Sequence, residues 1–294
     1  MSRAPDFGCT PETPCLTITD HHVRAFESNI IQGAAQGIGF YFASGDNGDE
    51  AQATGFVHPD YPAGDPWVTA VGGTSLGIGK NNQRTFETGW GTSKWVLNET
   101  GTDWLQQLPF QYGAGGGYSQ IFEQPWYQDG VVTNNPTGGR AVPDIGLDGD
   151  PTTGMLIGQT QAFALNTTQG PAGVHYGEYR IGGTSMSSPL MAGIQAAAQQ
   201  GRGTRIGFAN PLIYDLFRNF HDEATYFDPS GSEPGVGNIR SDYANGLNLD
   251  AGIIYSVRTF NQDSSLMVDH GWDDVTGVGT VTSRYLHRVA SGSN

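Results

Sequence analysis

Apolar positions recur at helical spacing over DHHVRAFESNIIQGAAQ, residues 20–36. Val23, Phe26, Ile30, Ile31 and Ala34 share one face, Asp20 is placed to cap it, and Gly37 ends it. IGFYFAS at 38–44 is apolar without alternation, which predicts a short strand buried on both faces. WVTAVGG at 67–73 and RAVPDIGLD at 140–148 predict two more. After Gly183 a small-residue run predicts a helix, with Pro189 in its first turn, where the missing N–H is harmless. NPLIYDLF at 210–217 predicts a further short helix. Residues 77–115, which carry Trp90, Trp95 and Trp104, read as loop-rich, and residues 225–265 read as turn-rich and polar. Strands alternating with helices predict an α/β layered fold with a mostly parallel sheet. No segment has the composition of a linker, so residues 1–294 are taken as one domain.

Composition changes this picture in three places. Lys plus Arg is 14 and Asp plus Glu is 29, giving a net charge of −15, which disfavours nucleic acid and anionic membranes as partners. The same balance suits a protein working in acid, where many carboxylates are neutral. The 44 glycines follow no period, so they mark tight turns and close backbone contacts and not a repeat. No apolar run approaches the roughly 18 residues of a membrane-spanning helix, and the first residues, MSRAPDFGCTPETP, have no apolar core of a signal peptide. Cys9 and Cys15 lie in that Pro- and Thr-rich stretch; their spacing allows two thiols or a small loop-closing disulfide. Asn98 and Asn166 each head an Asn-x-Thr triplet, a frequency that chance supplies.

Three stretches carry candidate chemistry. In IGGTSMSSP the two glycines allow close backbone approach, and the following helix aims free N–H groups and its positive dipole end at Ser185. Ser185 is thus placed as a nucleophile; Thr184 or Ser185 as a plain helix cap fits the same letters. In FASGDNG, Asp46 stands at the carboxyl end of an apolar strand, the edge where open α/β sheets bind ligands. Burial there favours a neutral carboxyl, which donates a hydrogen bond and can hold an oxyanion; a turn aspartate capping its own loop is the other reading. In FHDE (220–223) and DHGWDDVTGVG (269–279), Asp222 and Asp273 sit beside turn backbone, an oxygen-rich setting that suits Ca²⁺ or simply faces water.

Together these stretches resemble the sedolisin family of serine-carboxyl peptidases, which has a subtilisin-like fold. The matching segments run in family order: ASGDNG (43–48), DPWVTAVGGTSL (65–76), GGGYSQIFEQPWYQ (115–128), VPDIGLDGDPTTG (142–154), GGTSMSSPLMAG (182–193), FHD (220–222) and GWDDVTGVGT (271–280). The resemblance implies a three-layer α/β fold acting as an acid endopeptidase, with Ser185 as nucleophile and Asp46 in the oxyanion hole. It further implies one Ca²⁺ held by the side chains of Asp222 and Asp273 and the carbonyls of Glu223, Asp269 and Gly271. The family often has glycine where Asp269 stands, a change that a carbonyl ligand tolerates. The implied setting is a secreted monomer, made with an N-terminal propeptide, that acts on proteins or peptides.

One family feature is absent. Sedolisin-like enzymes use a glutamate base oriented by an aspartate one helical turn on, because a histidine would be protonated in acid. That Glu-x-x-x-Asp precedes the Ser-Gly-Asp turn in the family. The 45 residues before Asp46 hold Asp6, Glu12, Asp20 and Glu27, and none forms the pair. The chain is therefore expected to be the C-terminal part of the catalytic domain, lacking N-terminal strands and helices, and inactive alone. The alternative is a non-catalytic, Ca²⁺-stabilised remnant or binding domain. A subtilisin-type fragment is a third reading; His175 is the histidine nearest before Ser185, but no His-Gly-Thr-His motif is present.

Overall fold

A computed structural model describes residues 20–163, 172–219, 225–231, 237–244, 249–260 and 265–292. Helix α1 is Asp20–Ala35, followed by strand β1, Tyr41–Ala43, the single-turn helix α2, Ala51–Thr54, and β2, Thr69–Ile78. Strands β3, Arg84–Gly89, β4, Gly91–Leu97, and β5, Trp104–Gly113, come next. Then come β6, Gly117–Glu123, β7, Gly139–Val142, β8, Ile145–Asp148, β9, Met155–Phe163, and β10, Gly173–Ile181. Helix α3 is Thr184–Ala198 and α4 is Asn210–Asn219. The chain continues through β11, Tyr226–Phe227, β12, Gly237–Tyr243, β13, Ile253–Thr259, and β14, Thr280–Val281, to α5, Ser283–Ser291.

The central sheet has the order β1-β2-β8-β14-β11, with β3 folded back on β2. Its inner pairs, β1 with β2, β2 with β8 and β8 with β14, are parallel. Of the predicted strands, β2 and β8 are buried on both faces, with Ala70, Val71 and Ile145 fully enclosed. Strand β1, at the end of the sheet order, is only half-buried and Ile38 before it is exposed, so the expectation of a strand buried on both faces over 38–44 fails. RAVPDIGLD is two strands and not one. Pro143 lacks a ladder N–H and breaks it, leaving β7 paired with β6 and β8 in the central sheet.

Beneath the sheet lies a buried ion pair. Arg140 Nη2 donates to Asp144 Oδ2 at 2.6 Å, and Asp144 also accepts from the Ala70 N–H, Asn210 Nδ2 and Tyr214 Oη. Asp144 therefore ties β2, β7 and α4 together, a structural role. Helix α3 packs on the sheet through Met191 and Ala198, and α5 closes that layer through Tyr285 and Val289.

Two expectations fail. Residues 77–115 and much of 225–265 are not loops: β5-β4-β13-β12 form a four-stranded antiparallel sheet. Its strands mix polar and apolar residues, and its two local pairs, β4 with β5 and β12 with β13, are joined only by β4 with β13, across more than 150 residues of sequence, so local periodicity could not reveal it. Pro189 is not in the first turn of α3, which begins at Thr184. It stands inside the helix and removes the N–H that would bond to the carbonyl of Ser185. Cys9, Cys15, Asn166, Asp222 and Glu223 lie outside the described residues. No described helix is long and apolar enough to cross a membrane.

Candidate active site

Ser185 is exposed at the second position of α3. The residue before the helix is Gly183, at φ 95°, a left-handed backbone value that side chains resist. The sheet positions this turn: the Gly183 N–H donates to the carbonyl of Gly149, just past the end of β8. Neither Thr184 nor Ser185 caps the helix, since Gly183 holds the cap position and offers no side chain.

The capping group comes from Asp46, 138 residues earlier. Asp46 follows β1 at its carboxyl end, as expected, and its Oδ1 accepts from the Thr184 N–H at 2.7 Å. The Thr184 hydroxyl lies 2.9 Å from the same oxygen and 2.9 Å from the Gly45 carbonyl. The Gly45 N–H in turn donates to Thr184 Oγ1 at 3.1 Å. Asp46 Oδ2 lies beside Gly183, only 2.7 Å from where a Cβ would stand, so glycine there admits the carboxyl. The structure thus brings Ser185 and Asp46 to one helix end, with the aspartate half-buried. On the far side of the turn, the Gly115 N–H bonds the Gly45 carbonyl and the Gly113 N–H bonds the Asp46 carbonyl. Gly113, Gly115 and Gly116 thus form a close-packed wall; a Cβ on Gly115 would fall 2.8 Å from the Cα of Gly45.

Glu50 was not anticipated at this site. It stands in the same turn at φ 63°, is 1% exposed, and accepts from Asn47 Nδ2 at 3.0 Å. Burial pushes its carboxyl up; the Asn47 bond opposes this, and the charges of Asp46 and Asp49 add to it. The acidic run GDNGDE is its only trace in the sequence. His175 lies on β10 paired with Gln161, its Nε2 3.1 Å from the Ala172 carbonyl. Six residues of extended strand, about 20 Å, separate it from Ile181, so it does not reach Ser185.

The turn from Asp269 to Gly277 builds the second predicted site. Asp273 is buried; its Oδ1 accepts from the N–H groups of Val275 and Thr276 and its Oδ2 from the Thr276 hydroxyl. Backbone bonds exchanged between Asp273 and Gly277 close the loop. Burial pushes the Asp273 carboxyl up to about 8, against the Thr276 bonds. Asp269, Gly271 and Asp273 line a cavity of about 390 Å³ that also reaches Phe217, near the end of α4. Among the described residues no three acidic or histidine side chains converge as a metal cluster. The lining mixes the carboxylates of Asp269, Asp273 and Asp274 with the His270 ring, and both Asp273 oxygens already accept from the turn's own N–H and O–H groups.

A largely parallel sheet with a serine at a helix N-terminus, faced by a carboxyl at the end of a sheet strand, is the arrangement of a subtilisin-like α/β fold. Comparison with solved structures agrees: Pseudomonas sedolisin, a serine-carboxyl proteinase complexed with two molecules of pseudo-iodotyrostatin, matches with a TM-score of 0.64 and 25% identity over 94% of this chain and 62% of that one. The sequence is 30% identical to sedolisin of Pseudomonas sp. strain 101, over 89% of this chain and 36% of that protein. It is 30% identical to kumamolisin of Bacillus sp. strain MN-32, over 68% and 32%, and 27% identical to human tripeptidyl-peptidase 1, over 67% and 32%. No family model matches. The chain belongs to the sedolisin family of serine-carboxyl peptidases. It spans about a third of the length of the curated relatives it matches.

Proposed function

We propose that this chain carries the nucleophile and oxyanion half of an acid-acting serine-carboxyl endopeptidase. One observation carries the reading: Asp46 and Ser185 meet at the N-terminus of α3, coupled through Thr184. Ser185 Oγ attacks the scissile carbonyl and loses its proton to a carboxylate base. The oxyanion forms beside the helix end, where the dipole and a protonated Asp46 stabilise it. Collapse expels the amine, which takes a proton from the base, and water then hydrolyses the acyl-enzyme with the same base assisting. The described residues place no Glu-x-x-x-Asp pair beside Ser185, so the base belongs to a segment outside them. Because no Glu-x-x-x-Asp precedes Asp46 in the sequence, we infer that residues 1–294 by themselves are inactive. Substrates are proteins or peptides, and secretion follows the family expectation.

One Ca²⁺ fits the Asp269–Asp273 turn. Asp273 would supply a carboxylate, Asp269 and Gly271 carbonyls, and Asp222 with Glu223 the rest. When bound, the ion would compensate the buried Asp273 charge and pin the loop between α4 and β14.

The test is to express parent and Ser185→Ala forms together with the flanking coding sequence and to measure casein cleavage between about pH 3 and 7. Acid cleavage that disappears with Ser185→Ala supports the proposal; cleavage untouched by that change refutes it. The second reading, a Ca²⁺-stabilised remnant without activity, is favoured by the absence of a Glu-x-x-x-Asp pair beside Ser185 among the described residues. It gains if the longer product neither cleaves nor reacts with an active-serine reagent.

A further inference from the structure

The four-stranded sheet gathers cations on one face. Lys94 on β4 stands directly opposite Arg258 on β13. Arg240 on β12 stands opposite Ser256, two residues along β13 and so on the same face as Arg258. Thr92, on that face of β4, donates to Asp150 Oδ2 at 3.2 Å, which lays the face against residues 149–152. Arg240 Nη1 reaches the Pro151 carbonyl at 3.5 Å, and Arg180 of β10 donates to the Thr152 carbonyl at 3.0 Å. The Gly149 carbonyl of this loop accepts from Gly183, two residues before Ser185. Arg240 and Arg180 therefore touch the loop that also holds the turn before Ser185, and Lys94 and Arg258 share the face of the sheet with Arg240.

Their charge is poorly matched. Asp242 pairs with Arg240 at 2.8 Å and with Arg180 at 3.9 Å. Asp150 is taken up by Ser75, Thr92 and the Thr152 N–H. Among the described residues Lys94 makes no ion pair. Arg258 is 6% exposed and donates from Nη1 to Gln111, yet its buried Nε finds no acceptor among the described residues. Burial first, then Arg258, pulls the Lys94 ammonium down, against the pull of Asp242. In a chain of net charge −15, this is a concentration of partly desolvated cations that share one paired carboxylate, Asp242.

We propose that Lys94, Arg240 and Arg258 form an anion subsite beside the nucleophile that takes a carboxylate of a bound peptide. Guanidinium groups grip a carboxylate in two-point fashion, and Lys94 adds a point charge. The occupant rests on the peptidase reading. The carboxylate is either an acidic side chain or the peptide's own C-terminus.

Titration calorimetry on the Ser185→Ala chain separates these sources with three peptides of equal length. One has a central Glu and an amidated end, one has Gln there with an amidated end, and one has Gln with a free C-terminus. A carboxylate peptide should bind at least about tenfold tighter than the neutral one, and which peptide does so identifies the source. Lys94→Gln should abolish the preference, and Lys94→Arg should keep most of it. On the unmodified Lys94 chain, the preference should also collapse between about 50 and 500 mM NaCl. Equal binding of all three peptides overturns the subsite, as does a preference that survives Lys94→Gln or high salt. Casein cleavage tests the peptidase reading separately, because a carboxylate preference can persist in a protein that cleaves nothing.

Discussion

Replacing Asp148 with Asn should make this protein more stable at neutral pH and leave it unchanged in acid. Asp148 ends β8 opposite Thr74 of β2, and its Oδ1 accepts from Thr153 Oγ1 at 2.9 Å. Burial pushes its carboxyl from 3.8 up to about 7; the Thr153 bond and the Leu76 N–H oppose this, while Asp150 and Glu87 add to it. The folded state then holds the proton more tightly than the unfolded chain. Its stabilising contribution is complete below the unfolded value, near 3.9, and is lost as pH rises through about 7. A shift of roughly three units at about 1.4 kcal/mol each gives about 4 kcal/mol. Because the side chain keeps some contact with water, about 2–4 kcal/mol is the working range. Asn resembles the protonated acid and still accepts from Thr153, but does not titrate. Urea unfolding of both proteins at pH 4 and pH 8 measures the difference, since other titrating groups cancel between them. The two midpoints should coincide at pH 4, and the Asn form should lead by about 2–4 kcal/mol at pH 8. Parallel pH profiles, or a parent protein more stable than the variant at pH 8, would refute the reasoning.

Asp144→Ala strands the Arg140 guanidinium in the core and should lower stability by about 3–5 kcal/mol, read from the same urea transitions. Gly183→Ala must accept a side chain at φ 95° with its Cβ 2.7 Å from Asp46 Oδ2, and should lose about 1–3 kcal/mol of stability. Asp273→Ala should remove any rise in thermal midpoint that Ca²⁺ gives the parent chain, which calorimetry with and without a chelator measures. An identical rise in both proteins would place the ion elsewhere.

The parallel core and the serine helix were legible because each is written locally. The run 67–73 buries both faces of β2, so it shows no alternation, and the α3 run is rich in small helix formers. The run 38–44 looks the same in sequence, but its strand ends the sheet and is only half-buried. Ser185 and Asp46 were legible as separate motifs. Their meeting depends on β1 and α3 lying side by side, which neither motif encodes. The antiparallel sheet stayed hidden for a related reason. Lys94, Arg240 and Arg258 look like scattered surface charges until β4, β12 and β13 pair, because the information lies in long-range register. Glu50 was missed because an acidic run normally marks solvated turn, and its burial depends on packing that Asn47 and the glycine run provide.

The coupling of Asp46 to Thr184 decides which oxygen carries the proton in the proposed mechanism. Oδ1 accepts from the Thr184 N–H at 2.7 Å, so a proton on Oδ1 would oppose that bond. Oδ2, the oxygen beside Gly183, is free of that bond, so in the proposed mechanism it is the one to carry the proton and donate. Asp46 can therefore cap α3 with one oxygen and donate to an oxyanion with the other, but it does both only when protonated. Asn keeps Oδ1 as the cap and puts an N–H donor where Oδ2 stood, at every pH. Ala removes both, with a loss of about 1.5–3 kcal/mol in stability from the charged hydrogen bond and about 10²–10³ in turnover from the missing oxyanion donor. In the full-length peptidase assay, Asp46→Asn should keep activity at higher pH than the parent, whereas Asp46→Ala should be depressed throughout. An unchanged pH profile for Asp46→Asn would assign the acid requirement to the base and not to Asp46.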